Sequence, residues 1–227
     1  MGRDNTPRER QLQELERKKQ RGRVACERIL IVSEGSKTEP LYFDEIRIDL
    51  RLPIRNVTVS AGVLGTEPIQ VVRYAKDLFE SGDLHKGIEP RAFDQVYAVF
   101  DRDDHHTYYD ALRSAEALDG KLKNDEKRRV PFKAIASVPS FELWLLLHYE
   151  DIRAPLHRDE VMRLLRSPEN FAGYEKGEGN AFATTRDRLA IATQRAEALA
   201  AKFTADAAPE PYTAIVDLVK LLTTLRG

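Results

Sequence analysis

The sequence predicts an α/β fold: a mainly parallel four-stranded sheet flanked by helices, continued by a C-terminal helical extension. Three features carry that expectation. Ile29-Leu30-Ile31-Val32 is a continuous apolar run of the kind buried on both faces in the middle of a parallel sheet. Further short apolar runs follow it, each separated from the next by a segment whose apolar residues fall at helical spacing. After Asp151 the short runs cease and only helical spacing remains.

Residues 1–27 read as a basic, charged arm. Residues 1–28 hold nine Lys/Arg against five Asp/Glu, net +4, while the whole chain of 227 residues is −1, so the remainder is acidic. The run from Glu9 to Arg23 has good helix formers but no apolar stripe, the pattern of a solvated arm or of one that orders on a nucleic acid or a partner.

Residues 28–150 read as the α/β domain. The first strand is closed by Ser33-Glu34-Gly35, and Thr38-Glu39-Pro40 opens a helix with Pro in its first turn, carrying Leu41, Phe43, Ile46 and Leu50. Val57-Thr58-Val59 is a second strand. Glu67-Pro68 starts a second helix with Ile69, Val72, Leu78 and Phe79. Phe93 to Phe100 is a third strand, 107–120 a third helix, and Phe132 to Ala136 a fourth strand; Ser140 caps a fourth helix reaching about Tyr149. Residues 151–227 read as a helical extension packed on the same domain, with helices over 157–167, 181–204 and 210–226.

Several classes are excluded early. The apolar run Leu143–Leu147 is far short of the roughly 20 residues that cross a bilayer, so no membrane association is expected. The single cysteine, Cys26, permits no internal disulfide and no cysteine cage for zinc, and the first 23 residues lack the apolar segment of a secretory leader; both suit a cytoplasmic protein. Gly35-Ser36-Lys37-Thr38 lacks the glycines of a nucleotide phosphate loop.

The chemistry concentrates in acids at strand ends. Glu34 follows the first strand, and Asp101 and Asp103 follow the third, at the sheet edge where α/β proteins place functional groups. Where the chain is extended, residues i and i+2 share a side, so Asp101 and Asp103 can converge while Arg102 points away. With the first and third strands adjacent, Glu34 joins them. Like charges at such range oppose one another's ionisation, and a hard divalent cation with oxygen ligands is the natural remedy. Mg²⁺ or Mn²⁺ held this way implies phosphate chemistry, and metal-dependent phosphodiester hydrolysis is the leading inference. Glu142, set among Phe141, Leu143 and Trp144, is either a favourable charge at a helix start or a fourth site acid. Asp104, His105, Lys37 and Lys176 complete the set as auxiliary candidates, against the simpler reading that each caps a helix or sits in solvent.

Three blocks taken in order, Ile29–Glu39, Val99–His105 and Ser140–His148, make the chain resemble the RloB-like protein family, with Tyr174-x-Lys176 and Pro211–Val216 extending the likeness over about residues 24–225. That resemblance implies a Toprim-like sheet domain in which Glu34 acts as general acid or base and Asp101 and Asp103 bind Mg²⁺, with Glu142 a further acid. It implies a nuclease of anti-phage, abortive-infection defence, acting on RNA, tRNA included, or on DNA, beside an ATPase partner. No tyrosine is assignable as a covalent DNA nucleophile, which favours simple hydrolysis. The alternatives are a non-catalytic module binding nucleic acid or an ATPase, and a sugar-nucleotide transferase using Asp101-x-Asp103 for a metal and diphosphate.

Overall fold

In the computed structural model the described residues are 27–62, 67–202 and 210–225. The charged arm, apart from its last residue, and Cys26 lie outside them.

The elements are β1 (Ile29–Ser33), α1 (Thr38–Asp49), β2 (Val57–Ala61), α2 (Pro68–Ser81), β3 (Gln95–Asp101), α3 (Tyr108–Leu118), the short strands β4 (Leu122–Lys123) and β5 (Arg129–Val130), β6 (Phe132–Val138), α4 (Glu142–Leu146), α5 (Arg158–Leu165), α6 (Ala181–Thr185), α7 (Leu189–Ala200), β7 (Tyr212–Thr213) and α8 (Ile215–Thr224). The main sheet runs β2-β1-β3-β6-β7; β4 and β5 form a separate antiparallel pair. The expected parallel strands are all present, with β1 between β2 and β3 and β6 beyond β3. This arrangement is compatible with the Toprim-like expectation.

A fifth strand differs from the expectation. β7 pairs antiparallel with β6 inside the span expected as a helix from 210, and α8 begins only at Ile215. Thr213 organises the change of conformation: its Oγ1 lies 3.1 Å from Ser137 Oγ on β6 and accepts the Ile215 N–H at 3.3 Å. Two strand residues leave no periodicity to read.

β1 explains the two-layer packing. All its residues are buried. Ile29 and Ile31 face the core that α1, α4 and the C-terminal helices build, whereas Leu30 and Val32 face that of α2 and α3. Each buried aliphatic side chain contributes about 1.5–3 kcal/mol by leaving water. On the first face, Tyr42 of α1 meets Phe43, Phe141 and Phe182 edge-on. Trp144 is fully buried and its indole N–H donates to Tyr42 Oη at 2.7 Å, so it is a core residue. Residues beyond 151, among them Val161, Leu165, Phe182 and Leu199, join that same core, so the extension covers this face of the sheet. Among the described residues no helix is long and apolar enough to cross a membrane.

Candidate active site

The register of β1 on β3 sets Ser33 opposite Val99, which carries Glu34 and Asp101 out at the same sheet edge. The Glu34 N–H donates to Val99 O at 2.8 Å, and its carboxylate turns back so that Oε2 accepts the Asp101 N–H at 3.1 Å. Its other oxygen, Oε1, lies 3.3 Å from His105 Nε2. His105 is held between two acids, for its Nδ1 is 3.3 Å from Glu67 Oε1, and Glu67 Oε2 accepts the Thr107 hydroxyl at 2.6 Å. Burial pushes the Glu34 carboxyl above its ordinary range, and the Asp101 N–H and His105 only partly offset that.

Asp101 is the last residue of β3 and is 6 % exposed. Burial raises its proton affinity well above that of an ordinary aspartate; the charges of Glu39, Glu142 and Glu34 add to the rise, and a backbone bond from Phe141 opposes it. Glu142 opens α4 at 2 % exposure. Ser140 does not cap α4 with its side chain: its hydroxyl donates to Glu142 Oε2 at 2.8 Å. Glu142 Oε1 accepts the Tyr174 hydroxyl at 3.3 Å and pairs with Lys176 Nζ at 3.3 Å. The exposed-loop lysine of the sequence thus reaches the site, and Glu142, Asp101 and Glu39 raise its proton affinity against the opposing effect of burial.

Glu39 is the member that sequence reasoning missed. It sits in the first turn of α1, 4 % exposed, and its Oε2 is buried without a hydrogen-bond partner. Burial, with the charges of Glu142 and Glu34, lifts its carboxyl to about 7, while its own N–H and Lys176 pull the other way. As part of Thr38-Glu39-Pro40 it passes for an ordinary acid at a helix start.

Asp103 is placed differently from the extended-chain expectation. Its φ of 36° lies in the left-handed region, so alternation stops at Asp101. Asp103 Oδ2 pairs with Arg158 Nη1 at 3.1 Å and its Oδ1 is buried without a partner. Arg102 does point elsewhere, to Glu210 Oε2 at 2.7 Å. Asp104 and Lys37 are exposed, and the Lys37 stem rests against Gly177 in the loop that carries Lys176.

The donor set suits a hard cation: oxygen atoms only, an excess of buried carboxylates over Lys176, and unpartnered oxygens on Glu39 and Asp103. Among the described residues no three acidic or histidine side chains already form a metal cage. Mutual repulsion keeps like charges apart, and a cation would have to draw them in.

A mainly parallel α/β sheet with an acidic cluster at the exits of two adjacent strands defines the class of site. The chain belongs to the RloB-like protein family, whose model matches residues 29–222. No curated protein and no solved structure matches it.

Proposed function

We propose that this protein is a Mg²⁺- or Mn²⁺-dependent nuclease that hydrolyses phosphodiester bonds of RNA or DNA. The observation that carries the reading is the gathering of buried Glu39, Asp101 and Glu142, with partly buried Glu34 at the same sheet edge and Glu39 Oε2 unpartnered. A buried cluster of acids is costly unless protons or a cation neutralise it, and a hard divalent cation does so while leaving the oxygens available for chemistry. Glu34, Asp101 and Asp103, joined by Glu39, would hold the ion, and when bound it supplies Lewis-acid polarisation of the phosphodiester.

The chain's own groups account for the rest. The Asp101 N–H and His105 fix the Glu34 carboxylate in place at the strand exit, where it can accept a proton from an attacking water. Lys176 is held at the site by Glu142 and sets a positive charge where negative charge develops on the phosphoryl oxygens. A role in anti-phage defence beside an ATPase partner is carried over from the RloB-like resemblance and forms part of this proposal.

The test incubates the full chain with Mg²⁺ or Mn²⁺ and labelled tRNA, single-stranded DNA or duplex DNA, beside Glu34→Gln and Asp101→Asn. Metal-dependent cutting that both substitutions abolish is expected. Binding without cutting in every case would favour the non-catalytic module instead.

A further inference from the structure

The end of the sheet opposite the acids carries a second charged feature. β4 and β5 form an antiparallel hairpin between α3 and the start of β6. It stands about 20 Å from the Asp101 end, the length of β3 at about 3.3 Å per residue. Lys121, Lys123, Lys127, Arg128 and Arg129 are set there against Asp125 and Glu126, and all of them are exposed.

The carboxylates at this end are committed to holding the hairpin down. The two Asp125 oxygens accept from Arg28 at 2.7 and 2.8 Å. Asp94 accepts from Arg28, Arg128 and the Asn124 amide. Glu126 pairs with Arg128 at 3.2 Å, Asp119 pairs with Lys133, and Glu27 accepts from the Gln95 amide. Lys121, Lys123, Lys127 and Arg129 have no ion pair among the described residues.

Two features run against a purely structural role for these four. Lys123 and Arg129 are directly opposite across the hairpin, where like charges destabilise the pairing. Lys127 has a φ of 64°, in the left-handed region that Gly or Asn fills more readily. A hairpin that had only to fold would be better served by an opposite charge at 129 and by Gly or Asn at 127. A polyanion relieves the repulsion, and nucleic acid does so by giving up counterions to the cations it meets. Residues 1–27 are not that polyanion, for they carry eight Lys/Arg against five Asp/Glu and join the fold at Arg28, beside the hairpin.

We infer that the β4–β5 hairpin binds the phosphate backbone of nucleic acid through Lys121, Lys123, Lys127 and Arg129, on a surface remote from the acid cluster. The choice of nucleic acid among polyanions rests on the nuclease reading, but the binding needs neither metal nor cleavage. Phosphate contacts position a nucleic acid without reading its sequence, so the hairpin sets affinity and placement. A duplex touching both ends of the sheet spans at least about six base pairs, at about 3.4 Å each.

Binding without catalysis tests this. The full chain in EDTA is titrated by fluorescence anisotropy with a labelled DNA duplex of about 20 base pairs and with a labelled RNA stem-loop, at about 50 to 200 mM NaCl. Lys123→Gln combined with Arg129→Gln is expected to weaken binding about tenfold or more at the lowest salt. It should also reduce the slope of log affinity against log salt by about two, one for each cation removed. Lys127→Gly removes a cation and gives the left-handed position the residue that suits it, so about threefold weaker binding with an undiminished melting temperature is expected. Lys202→Gln, an exposed site just past α7 on the other face of the sheet, should stay within about twofold. Expectations met by only one of the two nucleic acids identify the backbone that the hairpin takes. No binding by the unaltered chain, or hairpin variants that fall no further than Lys202→Gln, overturns the surface. Hairpin-dependent binding by a protein that cuts neither nucleic acid once Mg²⁺ or Mn²⁺ is restored keeps the surface and removes the nuclease reading; cutting without hairpin dependence does the reverse.

Discussion

Gly35 lies so close beneath Glu39 that a Cβ at Gly35 would stand 1.9 Å from Glu39 Oε2. The missing side chain is what lets the first turn of α1 fold its carboxylate back over the β1 exit. The obstructing atoms belong to the end of a flexible side chain, so Gly35→Ala should move Glu39 without unfolding the protein. The expected outcome is a fall in metal-dependent cleavage of about tenfold or more, the loss of about 1.4 kcal/mol of transition-state stabilisation. Melting temperature should change by less than about 3 °C, the equivalent of roughly 1 kcal/mol in a chain of this size. Parallel assays of cleavage and thermal unfolding check both.

Glu39→Gln should separate stability from function. The carboxyl is raised from an ordinary 4.5 to about 7 in the fold. Between those values the folded state binds more protons than the unfolded chain, so its contribution is fully present below pH 4.5 and is lost as pH rises through about 7. The neutral amide removes that loss. Glu39→Gln is therefore expected to melt on the order of 5 °C above the unaltered protein at pH 8, with little difference at pH 4.5, and to lose metal-dependent activity. Melting curves across that pH range, in EDTA, check the sign.

A second titration runs the opposite way and lies away from the acids. His148 is 1 % exposed, packed edge-on against Trp144; its Nδ1 lies 2.9 Å from Trp144 O and its Nε2 has no partner. Burial lowers it from 6.5 to about 4. The unfolded chain binds more protons in that interval, so stability present above pH 6.5 falls as pH drops toward 4, by about 3 kcal/mol at most. His148→Phe should flatten the dependence of stability on pH over this interval, as measured by urea unfolding at pH 7, 5.5 and 4.5.

Much of the frame was legible in the sequence because it rests on local pattern. Ile29–Val32 reads as a doubly buried strand and is one, since both faces of β1 are covered. The adjacency of Glu34 and Asp101 follows once β1 and β3 are neighbours, as they are. Other parts depend on facts with no local signature. The positive φ at Asp103 breaks the alternation that an extended chain would keep. Arg158 and Lys176 enter from the extension, far along the chain from the acids they meet, and spacing does not encode such contacts. Glu39 was hidden by a sufficient ordinary explanation, the helix start, and only its buried, unpartnered oxygen reveals the rest.

Nuclease activity as proposed requires a divalent cation that draws Glu34, Glu39, Asp101 and Asp103 together. A crystal equilibrated with Mn²⁺ and measured at the manganese absorption edge tests this directly. An anomalous peak with oxygens of these residues at about 2.1 Å is the expected result. A well-ordered site at saturating Mn²⁺ with no peak among these carboxylates would contradict it.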